Sequence, residues 1–144
     1  MSYSIDVNLL LYASDRSSDR HTAARTFLGD CARRPDVLCL AWPTLMAYVR
    51  IATHPRIFSA PLAPGEALGN VAALLALPHV RAVSELDGFL DAYRHVSGSL
   101  PVRGNLVRHA HLATILFQHG VGTLYSNDRD FRKFEPLDVR DPFA

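Results

Sequence analysis

Five short apolar runs, each too far from the next to be joined by a hairpin, constrain this chain more than any other feature. Ser2-Tyr3-Ser4-Ile5, Val37–Ala41, Val80–Val83, Gly122–Ser126 and Leu137–Arg140 all read as strands. The first ends at Asp6, and residues 7–13 then turn helical and apolar. Residues 19–33 carry Ala23, Ala24, Phe27, Leu28 and Cys31 at helical spacing, closed by Arg33-Arg34-Pro35. Pro43 suits the first turn of a helix through Leu45, Tyr48, Val49 and Ala52, which must stop before Pro55. Pro64 and Glu66 open a helix with Leu68, Val71, Leu74 and Leu75 inward. Ser84, with Asp87 three residues on, predicts a capping-box start for the stripe Leu86, Phe89, Leu90, Tyr93, which Gly98 stops. Residues 105–119 form a further helix, and Asp128-Arg129-Asp130-Phe131 begins a turn or short helix. Strands separated by helices need crossover connections, so the sheet is parallel and covered on both faces. The order predicts a doubly wound α/β sandwich of four or five short strands. Its first strand is central and 137–140 lies at an edge. No repeat, low-complexity tract or linker divides residues 1–144, so one domain is expected.

Composition agrees with a globular chain: 144 residues, 49% hydrophobic and 20% charged. The net charge of +1 gives no global sign of a nucleic-acid partner. Of 15 basic residues only Lys133 is lysine, and arginine's planar fork suits phosphate as well as carboxylate. Cys31 and Cys39 are too few for a disulfide framework and lack zinc-ligand spacing, and Cys31 fits a buried thiol. No basic stretch leads into an apolar segment at the start, and no apolar run approaches the ~18 residues of a membrane span. A cytoplasmic protein with no membrane partner is expected.

Ligands of an open parallel sheet bind beyond the carboxyl ends of its strands. Asp6 follows the first strand, and Asp128, with Asn127 before it and Asp130 after it, follows the strand 122–126. If those strands are neighbours, carboxylates from opposite ends of the chain converge on one cleft. Such acids repel unless a cation lies between them, and hard oxygen ligands favour Mg²⁺ or Mn²⁺. A divalent ion held there would activate water against a phosphate. Spacing alone leaves a second reading open, in which both aspartates only cap helices.

Several segments together resemble the PIN-domain family, and within it the VapC toxins. Ile5-Asp6-Val7-Asn8 resembles the family's first metal-binding strand end. Arg50-Ile51-Ala52-Thr53-His54-Pro55-Arg56-Ile57-Phe58, with Pro61-Leu62, is similar to a middle segment of one VapC subgroup. Gly104-Asn105-Leu106-Val107 and Ala110-His111-Leu112-Ala113 resemble the helix that carries the third acid. Tyr125 to Phe131 resembles the last metal-binding turn, and Pro142-Phe143 the usual ending. The resemblance implies a PIN-like three-layer sandwich and a Mg²⁺- or Mn²⁺-dependent endoribonuclease acting on RNA. It also implies inhibition by a cognate antitoxin protein, and a homodimer, for which the helix 64–76 offers an apolar face. Asp6, Asn8, Asp128, Asp130 and His109 would be the catalytic set, with Asp6, Asp128 and His109 toward the metal.

The chain departs from the family pattern at two positions. His109 stands where the family has an acid, and Ala47 stands where a second acid usually precedes an aromatic–aliphatic–Arg run. At about 100° per residue, His109 falls at the edge of the face made by Leu106, Ala110, Ala113 and Phe117, while His111 points elsewhere. The two should not grip one ion. His109 can replace the lost carboxylate as a ligand, act as acid, base or phosphate contact, or mark a decayed site. Two functions stay open: a ribonuclease, or a catalytically degenerate PIN-fold protein that binds RNA or an antitoxin without cleaving. A third, an α/β enzyme of phosphorylated small molecules, lacks the Gly-rich loop after the first strand. Arg103, Arg108, Arg129, Arg132 and Lys133 lie near the cleft, as RNA contacts or as a solvated face paired with Asp130 and Glu135. Trp42, in an apolar run beside Pro43, is expected to pack against the protein.

Overall fold

The computed structural model describes residues 1–144. Five parallel strands, β1 (Ser2–Ile5), β2 (Val37–Ala41), β3 (Val80–Val83), β4 (Thr123–Tyr125) and β5 (Asp138–Arg140), form one sheet in the order β3-β2-β1-β4-β5. β1 is central and β5 an edge, as the sequence predicts, and every pairing is parallel. The chain steps outward from β1 through β2 to β3, then returns to place β4 on the other side of β1. That reversal is a topological switch point, where an open sheet leaves a crevice beyond its strand ends.

Side chains alternate across the sheet and divide the core into two layers. Tyr3, Ile5, Leu38 and Leu40 face α1 (Val7–Ser14), α2 (His21–Arg33), α3 (Trp42–Ala52) and α4 (Pro64–Leu75). Cys39, Ala41, Val83 and Leu124 face α5 (Phe89–Ser97) and α6 (Leu106–Gln118). Fully burying residues such as Ile5, Leu40 and Leu124 contributes roughly 1.5–3 kcal/mol each. The result is the expected three-layer sandwich. Both cysteines are free and buried, and no helix is long and apolar enough to cross a membrane.

Helix ends follow local chemistry. Asp6 caps α1, α3 starts with a proline in its first turn, and Glu66 accepts a hydrogen bond from the Ala63 amide at the start of α4. Gly120, at φ 69°, supplies the left-handed residue that lets the chain leave α6.

Several expectations fail for identifiable reasons. Ser84 does not cap α5. Gly88, at φ 77°, resets the chain, and α5 begins at Phe89. The stripe through Leu86 therefore loses phase, and Leu86 and Leu90 are exposed. The Ser84 carbonyl instead accepts from His119 Nε2, and Gln118 bonds the backbone of Leu86 and Asp87, tying this loop to α6. On α4 Val71, Leu74 and Leu75 face the core as expected, but Ala67 is buried beside them and Leu68 points out; on α2 Ala24 is buried while Ala23 is exposed. Phe117 stands at the surface with its ring beside His95. Trp42 is 42% exposed, not packed away. It is the first residue of α3, and helical side chains lean toward the N-terminus, so its ring projects past the end of the helix.

Candidate metal centre at the switch point

Pairing of β1 with β4 sets Ile5 opposite Tyr125, and the amide of Asp6 donates to the Tyr125 carbonyl at 3.0 Å. The residues just beyond these strands are therefore neighbours. Ser126, buried between them, binds both acidic segments. Its Oγ donates to Asp6 Oδ2 at 3.0 Å and accepts from the Asp128 amide at 2.9 Å. Sequence reasoning assigned Ser126 no role. The signal was the register, since a hydroxyl one residue past a strand beside Asp6 has that carboxylate as its natural partner.

Asp6 is 6% exposed. Its Oδ1 accepts from the Val7 amide at 2.7 Å, the helix cap that spacing allowed. Burial pushes its pKa above the ordinary carboxylate value and the charge of Asp128 adds to this, against the opposing pull of Ser126, Val7 and His109. Asp128 is half-buried and also caps, its Oδ1 accepting from the Asp130 amide at 3.0 Å at the start of the short 3₁₀ helix Arg129–Lys133. Capping and facing the cleft are thus compatible, because a carboxylate has a second oxygen.

That second oxygen meets His109. The imidazole is 6% exposed on α6 and packs on Phe131, with ring centroids 4.5 Å apart. Its Nδ1 donates to the Asn105 carbonyl at 3.0 Å, because a carbonyl can only accept. Its Nε2 lies 2.8 Å from Asp128 Oδ2. Burial alone would raise the pKa of Asp128. The His109 hydrogen bond, the Asp130 amide and the positive charge of His109 and Arg108 outweigh burial and hold it below the usual carboxylate value.

Donor atoms of His109, Asp128 and Asp130 lie within 4.8 Å of one another, a spacing that a single ion could bridge. Asp6 faces the same cavity from outside that tight group. Asp130 also pairs with Lys133 at 3.1 Å. Asn8 lines the cavity but makes no hydrogen bond to Asp6, whose orientation comes from Ser126 and Val7. His111 also borders the cavity, but its Nε2 bonds Glu85 at 3.1 Å, so the two histidines serve different acids as the helix geometry predicts.

The cavity, about 170 Å³, lies between α3 and α6. Its α3 wall is Pro43, Thr44, Ala47 and Ile51, which places no charge opposite the acids. Arg108 stands on the α6 side. Arg103, Arg108, Arg129 and Arg132 form no ion pair, whereas Lys133 has the expected acidic partner. A crevice of this kind, with acids at adjacent parallel strand ends and unpaired arginines nearby, defines a class of candidate phosphodiester-processing sites.

The comparisons with known proteins narrow that class. No protein-family model matches the chain. It is 43% identical over 144 residues to Ribonuclease VapC48 of Mycobacterium tuberculosis, covering 100% of this chain and 99% of that protein. Ribonuclease VapC37 of the same organism is 33% identical over 131 residues, covering 91% and 90% of the two chains. A solved structure of VapBC-1 from nontypeable Haemophilus influenzae superposes with a TM-score of 0.69 at 15% identity, covering 100% of both chains. The chain belongs to the VapC family, and its sheet and helices form the VapC-type PIN fold.

Proposed function

We propose that this chain is a metal-dependent endoribonuclease, the toxin of a VapBC-type toxin–antitoxin pair, and that residues 1–144 act as one PIN domain. The observation that carries the reading is the convergence of Asp6 and Asp128, joined through Ser126, at the switch point of a chain with full-length likeness to named VapC ribonucleases.

The donor set fits a divalent cation. Three donor groups, one imidazole and two carboxylates, lie within bridging distance of one another, and a third acid, Asp6, lines the same cavity. Mg²⁺ or Mn²⁺ suits such carboxylates. Asp6 and Asp128 would hold the ion directly or through water, with Asp130 as an additional acid and His109 in the third-acid position. A bound ion supplies Lewis acidity for attack of water on phosphorus. The chain's own residues do the rest. Ser126 fixes both aspartates. Asn8, with its amide unbonded, orients a water molecule in the cavity. Arg108 and the other unpaired arginines follow the RNA backbone, where salt-sensitive phosphate contacts dominate affinity.

The likeness to the VapBC-1 structure supports a cognate antitoxin as protein partner. The outward Leu68 on α4 supports a homodimer through that helix. The test is cleavage of a mixed RNA pool with Mg²⁺, Mn²⁺ or EDTA, beside Asp6→Ala. Cutting that requires both metal and Asp6 is the expected result. The charge-free α3 wall at Ala47, together with His109, favours a second reading, a PIN-fold protein that binds RNA or antitoxin without cleaving. No cutting by the native chain, with cutting restored in His109→Asp, would select that reading.

A further inference from the structure

We infer that His109 is a nitrogen ligand that turns this cleft into a mixed imidazole–carboxylate site, selective for Mn²⁺ and Zn²⁺ over Mg²⁺. The inference rests on the reading above only in placing an ion in the cleft; RNA cleavage is a separate matter.

The first argument is the orientation of the ring. The Asn105 carbonyl, one turn back on α6, takes the Nδ1 proton at 3.0 Å. Asp128 Oδ2 also only accepts, so in the metal-free cleft Nε2 carries the proton shared with it. An ion bound there would take the place of that proton, which passes to solvent, while the Nδ1 proton stays hydrogen-bonded to the Asn105 carbonyl. A ligating histidine characteristically donates its other ring N–H to a carbonyl or carboxylate, which sets tautomer and direction together. His109 already has that arrangement.

Spacing supplies the second argument. Nε2 and Asp128 Oδ2 are 2.8 Å apart. Two donors at right angles on an ion with bonds of about 2.1 Å stand about 3 Å apart. Both atoms can therefore serve one ion with little movement of either side chain. The ring is also held: it is buried, stacked on Phe131 and fixed at Nδ1, so ligation loses little conformational freedom.

The surroundings identify His109 as the one nitrogen donor. His111 is occupied by Glu85, and Ala47 on the opposite wall offers no donor. Asp6 lies outside the tight group and contributes charge from the edge of the cavity. The close donors are thus one imidazole and two carboxylates. Mg²⁺ is hard, prefers an all-oxygen shell and sheds water reluctantly. Imidazole raises affinity for the later divalent ions of the first transition row.

The experiment uses the full chain stripped of metal with EDTA. Calorimetric titrations with Mg²⁺, Mn²⁺ and Zn²⁺ give the selectivity, and the ¹⁵N resonance of His109 Nε2 on adding Zn²⁺ reports ligation directly. Mn²⁺ and Zn²⁺ should each bind at least about tenfold more tightly than Mg²⁺. Nε2 should move on saturation while Nδ1 keeps the character of an N–H. His109→Asp should narrow or reverse the preference, and circular dichroism checks that it is folded. Mg²⁺ affinity equal to that for Mn²⁺, or an Nε2 resonance unmoved at Zn²⁺ saturation, would overturn the inference. The resonance is read on the native chain, so a misfolded variant cannot obscure the answer. A shifted Nε2 in a chain that cuts no RNA with any ion would leave the inference standing and remove the nuclease. Cutting supported equally by Mg²⁺ and Mn²⁺, with Nε2 unmoved, would do the reverse.

Discussion

Asp6 and Asp128 follow adjacent parallel strands and share Ser126, yet their surroundings push them in opposite directions. Asp6 is sealed under the start of α1, where burial raises its pKa. Asp128 is more open, and its imidazole partner and neighbouring positive charge lower its pKa despite partial burial. One carboxylate is kept in an environment that resists its charge, and the other in one that welcomes it. An incoming cation would relieve the first and replace the proton between His109 and the second. Site function and fold stability are therefore coupled differently at two residues that touch the same hydroxyl.

The largest expected effect breaks the pair outright. Asp6→Ala and Asp128→Ala should each reduce RNA cleavage by more than about 100-fold, the upper end for groups that only support a ligand. Gel-based cleavage with Mn²⁺ measures this. Ser126→Ala removes the shared hydroxyl and leaves Asp6 Oδ2 and the Asp128 amide without their partner. It should reduce cleavage by about 10–100-fold and stability by about 1–3 kcal/mol, read from urea denaturation.

A sharper test compares Asp6→Asn with Asp128→Asn in metal-free protein. The folded pKa of Asp6 is raised, so the native state loses stability as pH climbs from below the ordinary carboxylate value through the raised one. Asp6→Asn should therefore raise the melting temperature at neutral pH and give no gain in strong acid. The folded pKa of Asp128 is lowered, so its contribution is present above the ordinary value and disappears as pH falls through the lowered one. Asp128→Asn should lower the melting temperature at neutral pH, with the deficit closing in acid. Scanning calorimetry across pH reads both, and shifts of the same sign would refute the contrast. The smallest effect concerns the half-exposed pair Lys133–Asp130. Lys133→Met should change stability by no more than about 0.5 kcal/mol, while freeing an acid on the Asp128 side and tightening Mn²⁺ binding in calorimetry.

Much of this arrangement was readable in the amino-acid sequence. The strands announce themselves because a parallel sheet buried on both faces needs nearly continuous apolar runs, as in Val37–Ala41. Asp6 and Asp128 stand out because each is the first acid after such a run. Placing His109 and His111 on different sides required only the helical repeat. Other features needed three dimensions. Ser126 has a role only through the β1–β4 register, which brings residues 120 positions apart into contact. The failed cap at Ser84 turned on a backbone angle at Gly88 that the stripe Leu86–Tyr93 conceals. Ala67 displaced Leu68 because the choice between adjacent apolar residues is made by the neighbouring helix. Trp42 stayed partly exposed because its position in the helix outweighed its hydrophobicity.

The pairing of β1 with β4 also has a consequence for the order of events when the chain is made. Asp6 emerges almost at once, while its partner Ser126 is added 120 residues later. At roughly 5–20 residues per second, that delay is on the order of ten seconds. Until β4 is laid beside β1, the central strand lacks one neighbour and the cleft lacks Asp128 and the short helix behind it. A chain still being synthesised, or truncated before residue 123, has only half a site. The acidic cleft is thus among the last features of the molecule to be completed, because its two halves lie at opposite ends of the chain.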